Sequence, residues 1–471
     1  MAEPSSTQPL APMPAAFGVP TATFIVVASM VGVGVLTTSG FTVLFVGSTQ
    51  LMLGLWVLGG VVAACGALTL CELTAALPKT GGDYVYLHEA YGPLTAFLSG
   101  WVSFLIGFAA PSASAAFGAA KYLTVPFGID PAAAPWVQRG LGSALILVFA
   151  AIHVSGRERT ARVQAVITAV KLAILGAFVA AGLARGWPNL ANLADRPPLG
   201  ETPVTAMLFS LVYVYYAYVG WNAASYLAGE FIDPQRQIPK AILIGTGSVV
   251  VLYIGLNVVY SLALSAADVK AIVAAAPGAT FDAKAEAVAP IAELAAARLF
   301  GRGLSSAFSV AVGLMLLSSL SAYVLTGPRV AYAMAAAGHF PAVAGRLTRR
   351  TGTPAVATAM QVACTLGLLW SGSFDSLIIY ASVGLSIFSM LAISAVYVLR
   401  RTRPDLPRPF RTPGYPVTPA VYLVVTALLT GAAFWQRPLV SGYALLSILA
   451  GVPLYYGWRA VSDGPKLGDA P

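Results

Sequence analysis

One ionisable side chain stands deep in apolar sequence: Lys171, within "VQAVITAVKLAILGAF". A charge at that depth of a membrane segment costs at least ~2.5–3.5 kcal/mol on insertion scales, so its retention points to a function. A desolvated lysine there can exchange a proton with its surroundings during a working cycle. The bland alternative is a structural lysine whose stem snorkels to the interface. Its distance of roughly two to three turns from the start of the segment weakens that alternative.

Two further stretches carry chemistry in their main chain. Gly32 and Gly34 interrupt an apolar run in "VASMVGVGVLTTSG", and Gly220, followed by Trp221 and Asn222, interrupts another in "YVYYAYVGWNAASYLAGE". Where a membrane helix breaks, the N–H groups of one half-helix start can hold a carboxylate, and the carbonyls freed at the opposing half-helix end can hold an ammonium group. An α-amino acid carries both charges at that spacing. Glycine in either stretch alone is more simply explained by close helix packing. The two stretches lie five helices apart, at corresponding positions in two halves, and interrupted helices so placed point to a transporter's binding site.

These residues need a membrane scaffold around them. Hydrophobic residues make up 58% of the 471 positions and charged residues only 10%, against roughly 25% charged in a soluble domain. A span takes roughly 20 residues, so the length accommodates about a dozen helices with short loops. The apolar runs are read as Phe17–Phe45, Leu51–Ala76, Leu94–Tyr122, Val137–His153, Arg162–Leu183, Val204–Ala228, Pro239–Leu264, Leu304–Ala337, Pro354–Trp370, Ser376–Leu399, Val417–Trp435 and Leu439–Trp458. The net charge of +9 matters through its distribution rather than as a sign of nucleic-acid binding. With the N-terminus inside, the cytoplasmic loops collect Arg157, Arg159, Arg162, Arg400, Arg401, Arg403, Arg408 and Arg411, while the outer loops hold scattered residues such as Lys121, Arg185 and Arg437. That bias fits an even span count with both termini cytoplasmic. The Ala-rich segment from Ser265 to Gly303 is expected to include a short surface helix over the outer mouth.

Several classes drop out. Cys65, Cys71 and Cys364 lie in apolar runs without metal-ligand spacing and read as small core residues. The N-terminal "MAEPSSTQPLAPMP" has no basic n-region, so no cleavable signal peptide is expected. His88, His153 and His339 fall at loops or span ends and read as interfacial. With no clustered carboxylates either, a membrane enzyme is disfavoured and no cofactor or metal is expected. A sensor on a transporter scaffold does not drop out: sensors usually add a signalling domain or a long tail, which the short tails speak against, and it stands with a cationic amino-acid or polyamine transporter as an alternative. No Asp or Glu falls near the middle of any span, which favours neutral over cationic amino acids or polyamines.

Taken together, "GVGVL", "CELTAALPKTGGDYVYLHEAYGP", "YAYVGWNAASYLAGEFIDPQRQIPKAI", "LTGPRVAYAMAAAGHFP" and "RPFRTPGYPVTP" resemble, in order, motifs of the amino acid–polyamine–organocation superfamily, and within it the bacterial relatives of the L-type amino-acid transporters. The resemblance implies an all-α membrane protein with a LeuT-type fold. It would have twelve transmembrane helices: two inverted five-helix repeats (17–183 and 184–399) with helices 1 and 6 broken at the midplane, and two extra helices (400–458), between cytoplasmic tails 1–16 and 459–471. It implies a secondary transporter in a bacterial inner membrane. Its substrate site would be formed by Val31, Gly32, Val33, Gly34, Tyr216, Val219, Gly220 and Asn222: amides of Val33 and Gly34 for the carboxylate, carbonyls of Val31, Tyr216 and Val219 for the amino group, and Tyr216 as an aromatic gate. Val33 stands where the family signature has Ser, and Leu36 where it has Phe. The resemblance further places Lys171 where sodium-coupled relatives bind sodium, with Ser318 and Ser319 as hydroxyl partners and the carbonyl of Met30 or Val31 as acceptor. Transport would then be independent of sodium, by exchange or with protons. The stretch Tyr122–Trp136 lacks the cysteine that joins many animal relatives to a partner glycoprotein, so no disulfide-linked heavy subunit is expected.

Overall fold

The computed structural model describes residues 17–32, 34–129, 135–194, 203–275, 287–371 and 374–462. Val33 and the tails 1–16 and 463–471 lie outside the described residues. Among those described, the chain is helical, with one isolated backbone bridge between Phe17 and Phe231 and no sheet. In chain order the helices are α1 (Val19–Met30), α2 (Gly34–Val46), α3 (Thr49–Ala76), α4 (Asp83–Tyr91), α5 (Pro93–Val102), α6 (Ala110–Thr124), α7 (Pro135–Val154), α8 (Arg157–Gly186) and α9 (Val204–Tyr218). They continue with α10 (Pro234–Ala263), α11 (Ala266–Ala274), α12 (Ile291–Phe300), α13 (Arg302–Ala336), α14 (Ala355–Ser371), α15 (Phe374–Thr402), α16 (Val417–Gln436) and α17 (Pro438–Ser462). A π-helical turn, Ser103–Ala109, joins α5 to α6, and a 3-10 segment, Ala223–Glu230, follows α9.

Eleven helical stretches among the described residues are long and apolar enough to cross a membrane, and α14 is a shorter apolar helix of 17 residues. Helices suit this setting because each satisfies its own main-chain groups where water is absent. Local signals set their ends: Pro20 sits in the first turn of α1, the Ser48 side chain caps α3 by accepting from the Leu51 N–H, and Ser265 and Asp268 form a capping box on α11. Among its described residues the segment after α10 includes the short helices α11 and α12, and the connection between α3 and α5 includes the helix α4. α3 lies along α10, α6 along α13, α1 against α10 and α2 against α9. α1 and α2 are mostly buried, whereas α7, α16 and α17 expose most of their surface, as lipid-facing helices do.

Two buried carboxylates tie helix ends together. Glu230 accepts from Arg329 at 3.0 and 3.4 Å, with the Arg157 guanidinium 3.6 Å away. The Glu230 carbonyl also accepts the Phe17 N–H at 2.9 Å, pinning the start of α1 to the end of the 3-10 segment. Glu72, at the end of α3, accepts from Arg400 at 2.8 and 2.6 Å and from the Thr412 N–H at 2.7 Å, with Arg408 3.4 Å away. Removing one partner of such a buried pair strands the other charge. Arg329→Ala is therefore expected to lower stability by about 3–5 kcal/mol, with Arg329→Lys intermediate because it keeps the charge and loses the fork. Thermal melting of the purified protein in detergent checks this; a wild-type melting temperature for Arg329→Ala would show the pair to be idle.

Candidate functional site: a cavity between facing helix ends

α1 ends at Met30, and α2 begins at Gly34. α9 ends at Tyr218, with the 3-10 segment beginning at Ala223. Two glycines let these ends meet. A Cβ on Gly34 would lie 2.7 Å from the Ala217 Cα, and one on Gly220, at φ +116°, would lie 2.8 Å from the Ser29 main chain. No other residue fits either contact. Beside the ends lies a cavity lined by Ser29, Met30, Gly32, Gly34, Tyr216, Ala217, Val219, Gly220, Asn222 and Ala223. Its remaining walls come from Ser103, Gly107, Phe108, Pro111, Tyr226, Tyr323 and Leu385. A second, apolar crevice between α3, α9 and α16 lacks such a convergence of helix ends.

The carbonyls at the end of α1 are taken by donors from other helices. Tyr323 of α13 donates to the Ser29 carbonyl at 2.8 Å. Tyr253 of α10 donates to Met30 at 2.6 Å and lies 3.0 Å from the Ala217 carbonyl of α9, so one hydroxyl spans both helix ends. The Val31 carbonyl accepts from Lys171 at 2.5 Å and from the Ser319 hydroxyl at 2.7 Å. Ser29 Oγ is buried at the cavity and makes no hydrogen bond to the described protein.

Lys171 is buried, 1% exposed, and its ammonium group also donates to Ser319 Oγ at 2.8 Å and reaches the Ala28 carbonyl at 3.5 Å. No carboxylate among the described residues lies within ion-pair distance of it; neutral oxygens alone surround the nitrogen. Ser318 turns away, pairing with Thr168 at 3.1 Å. From there a buried polar seam runs through Gln164 and Ser321 to His153, whose Nε2 lies 3.0 Å from Ser321 Oγ. His153 is thus a core residue, 2% exposed, and its reading as interfacial is corrected. Its place at the end of an apolar run hid the hydroxyls that α13 brings to it.

The structure gathers Gly32, Gly34, Tyr216, Val219, Gly220 and Asn222 around one cavity. Lys171, Ser319 and Val31 meet behind it, Val31 turned to the lysine; Val33 is outside the described residues. Sequence reasoning missed Tyr253, Tyr323, Ser29 and Tyr226. A tyrosine inside an apolar span was the available signal, since a buried phenol wants a hydrogen-bond partner. It also missed Asp83, quoted within "GGDY" yet not recognised as a buried carboxylate. Asp83 Oδ2 accepts from Asn222 Nδ2 at 2.9 Å and from Tyr226 at 3.0 Å.

A multi-pass helical membrane protein enclosing such a cavity between interrupted helices falls in the class of membrane transporters. The family model for amino acid permeases matches residues 17–451, and the chain belongs to that family. It is an amino-acid transporter, not an enzyme. It is similar to the human cystine/glutamate transporter, 28% identical over 438 residues that cover 92% of this chain and 83% of that one. It is similar also to the mouse large neutral amino acids transporter small subunit 2, at 27% over 451 residues, covering 93% and 80%. The mouse Asc-type amino acid transporter 1 is 28% identical over 459 residues, covering 94% and 81%.

The glycine geometry yields a sharp contrast. Gly220→Ala is expected to cost about 1–3 kcal/mol in backbone strain alone and to weaken substrate binding as Ser29 is displaced. Gly247→Ala, in open space on α10, should leave both unchanged. Melting temperature and ligand-induced thermal stabilisation of the two variants check the pair.

Proposed function

We propose that this chain carries small or medium neutral L-amino acids across a bacterial cytoplasmic membrane by alternating access, without sodium, by exchange or with protons. The observation that carries the reading is the chemistry of the cavity: it lies between the helix ends at Met30–Gly34 and Tyr218–Ala223, and none of its lining residues is charged. A zwitterion's carboxylate would sit at the start of α2, on the amides of Val33 and Gly34. Its ammonium group would face the carbonyls of Tyr216 and Val219, with the unpaired Ser29 hydroxyl as a further acceptor. Tyr216, Phe108, Tyr226 and Tyr323 bound the room for a side chain, and Tyr216 would close over it.

The finer architecture belongs to the same proposal: two inverted five-helix repeats, 17–183 and 184–399, with α1–α2 and α9–(223–230) as the two broken helices. α14 would be the ninth of twelve spans, with α16 and α17 as the extra pair and both termini cytoplasmic. Lys171 would occupy the place of a coupling sodium ion, its ammonium bridging α1, α8 and α13 through Val31 and Ser319. We propose no disulfide-linked subunit, since the stretch from Tyr122 to Trp136 holds no cysteine. Of the relatives, one is named for cystine and glutamate and another for large neutral amino acids, and the uncharged lining favours the neutral class.

Counterflow in proteoliposomes tests the reading: vesicles are loaded with single unlabelled amino acids, and entry of labelled alanine is timed. Trans-stimulation by alanine, serine or leucine in choline buffer, unchanged by sodium, is expected. Stimulation by arginine or putrescine alone would overturn the substrate class, and a requirement for sodium would overturn the role of Lys171. Lys171→Ala removes charge-assisted hydrogen bonds worth about 1.5–3 kcal/mol, so exchange should fall by about 10- to 100-fold.

A further inference from the structure

Asp83 is the first residue of α4, in the connection between the α3 and α5 stretches, and it is 5% exposed. Among the described residues no Lys, Arg or His pairs with it. The groups that face it are uncharged at neutral pH: Tyr226 and Asn222 donate to Oδ2, Tyr86 of α4 lies beside it, and Tyr215 of α9 and Tyr422 of α16 feel its charge from behind. Ser103, in the π-helical turn, bonds to Tyr226 at 3.4 Å, and Cys71 of α3 lies near Tyr86. The other titratable contacts of α4 point elsewhere: Tyr84 to His339 at 2.7 Å, and Glu89 to Lys79 and Arg403. A buried carboxylate held by two neutral donors, Asn222 and Tyr226, both of which line the cavity, is not needed to neutralise any cation.

We propose that Asp83 is a proton-binding site of the transport cycle whose charge sets how firmly the segment Ala223–Glu230 closes the cytoplasmic side of the cavity. The proposal rests on the transporter reading and extends it to a group that the substrate does not touch. A proton from cytoplasmic water adds to a carboxylate oxygen, and no other bond breaks. The bonds from Asn222 and Tyr226 change from charge-assisted to neutral, which roughly halves their strength. Burial raises the Asp83 acid to about 6, against the pull of Tyr226 and Asn222. The site is therefore charged above that value, with the segment held, and neutral below it, with the segment released. Acidification promotes opening toward the cytoplasm, and Asn222 transmits the change to the cavity.

Two readouts test this. Alanine counterflow is measured with pH equal on both membrane faces and stepped across the window around 6, for the wild type, Asp83→Asn, Asp83→Glu and His339→Gln. The last is a control, because imidazoles titrate in the neighbouring range. The wild-type rate should change by at least about threefold across the window as two charged hydrogen bonds become neutral ones. Asp83→Asn should flatten the profile while still exchanging, Asp83→Glu should move its midpoint, and His339→Gln should keep it. In parallel, infrared difference spectra between acid and alkaline buffer should show a carboxylic-acid carbonyl band in the wild type that Asp83→Asn lacks. An unchanged profile and an unchanged band in Asp83→Asn would overturn the proposal. If that variant does not fold, an unchanged midpoint in Asp83→Glu does the same. Loss of the pH response in His339→Gln alone would move the site to the imidazole and also overturn it. Absence of counterflow in the wild type would sink the transport reading instead, leaving the infrared titration to decide whether Asp83 takes a proton.

Discussion

The centre of this protein depends on what becomes of the main-chain carbonyls where α1 and α9 stop. Water cannot satisfy them in an apolar interior, and each one left bare costs several kcal/mol. Other helices supply the donors: Tyr253 from α10, Tyr323 from α13, and Lys171 and Ser319 from α8 and α13. A shift of α1 relative to α8, α10 or α13 would break several of these bonds together. Tyr253 makes the point most directly, because its single hydroxyl reaches Met30 and Ala217 at once. The two helix ends that bound the cavity are tied to each other through a third helix.

Much of this was legible in the residues, and the boundary has a physical cause. Membrane helices announce themselves through composition, because the bilayer filters each segment independently; hence the long apolar runs and the all-helical architecture were readable. Gly32, Gly34 and Gly220 were readable as interruptions for the same reason, since nothing in an apolar run masks them. What escaped was everything set by which helix faces which. The hydroxyls of Tyr253 and Tyr323 look like ordinary aromatic content until α10 and α13 are placed against α1. His153 looks interfacial by position and is buried by α13. Ser318 and Ser319 are adjacent, yet their side chains leave the helix about 100° apart, so one meets Lys171 and the other Thr168. Asp83 was hidden by its loop-like setting, in which a carboxylate is normally solvated.

The buried charges divide into two kinds, and the division says what each is for. Glu72 and Glu230 are each clasped by two guanidinium groups at helix ends. Such clusters fix α3 to α15 and the segment 223–230 to α13. Lys171 and Asp83 are held by neutral dipoles instead. A charge stabilised by dipoles alone has a neutral alternative that the same surroundings tolerate, because no partner ion is stranded when the proton moves. Each of these two also touches a residue of the helix ends around the cavity, Val31 for Lys171 and Asn222 for Asp83. In the proposed cycle, groups that change charge and are attached to these helix ends are what coupling between a proton and a solute requires. The clasped glutamates provide the rigid frame against which such a change can act.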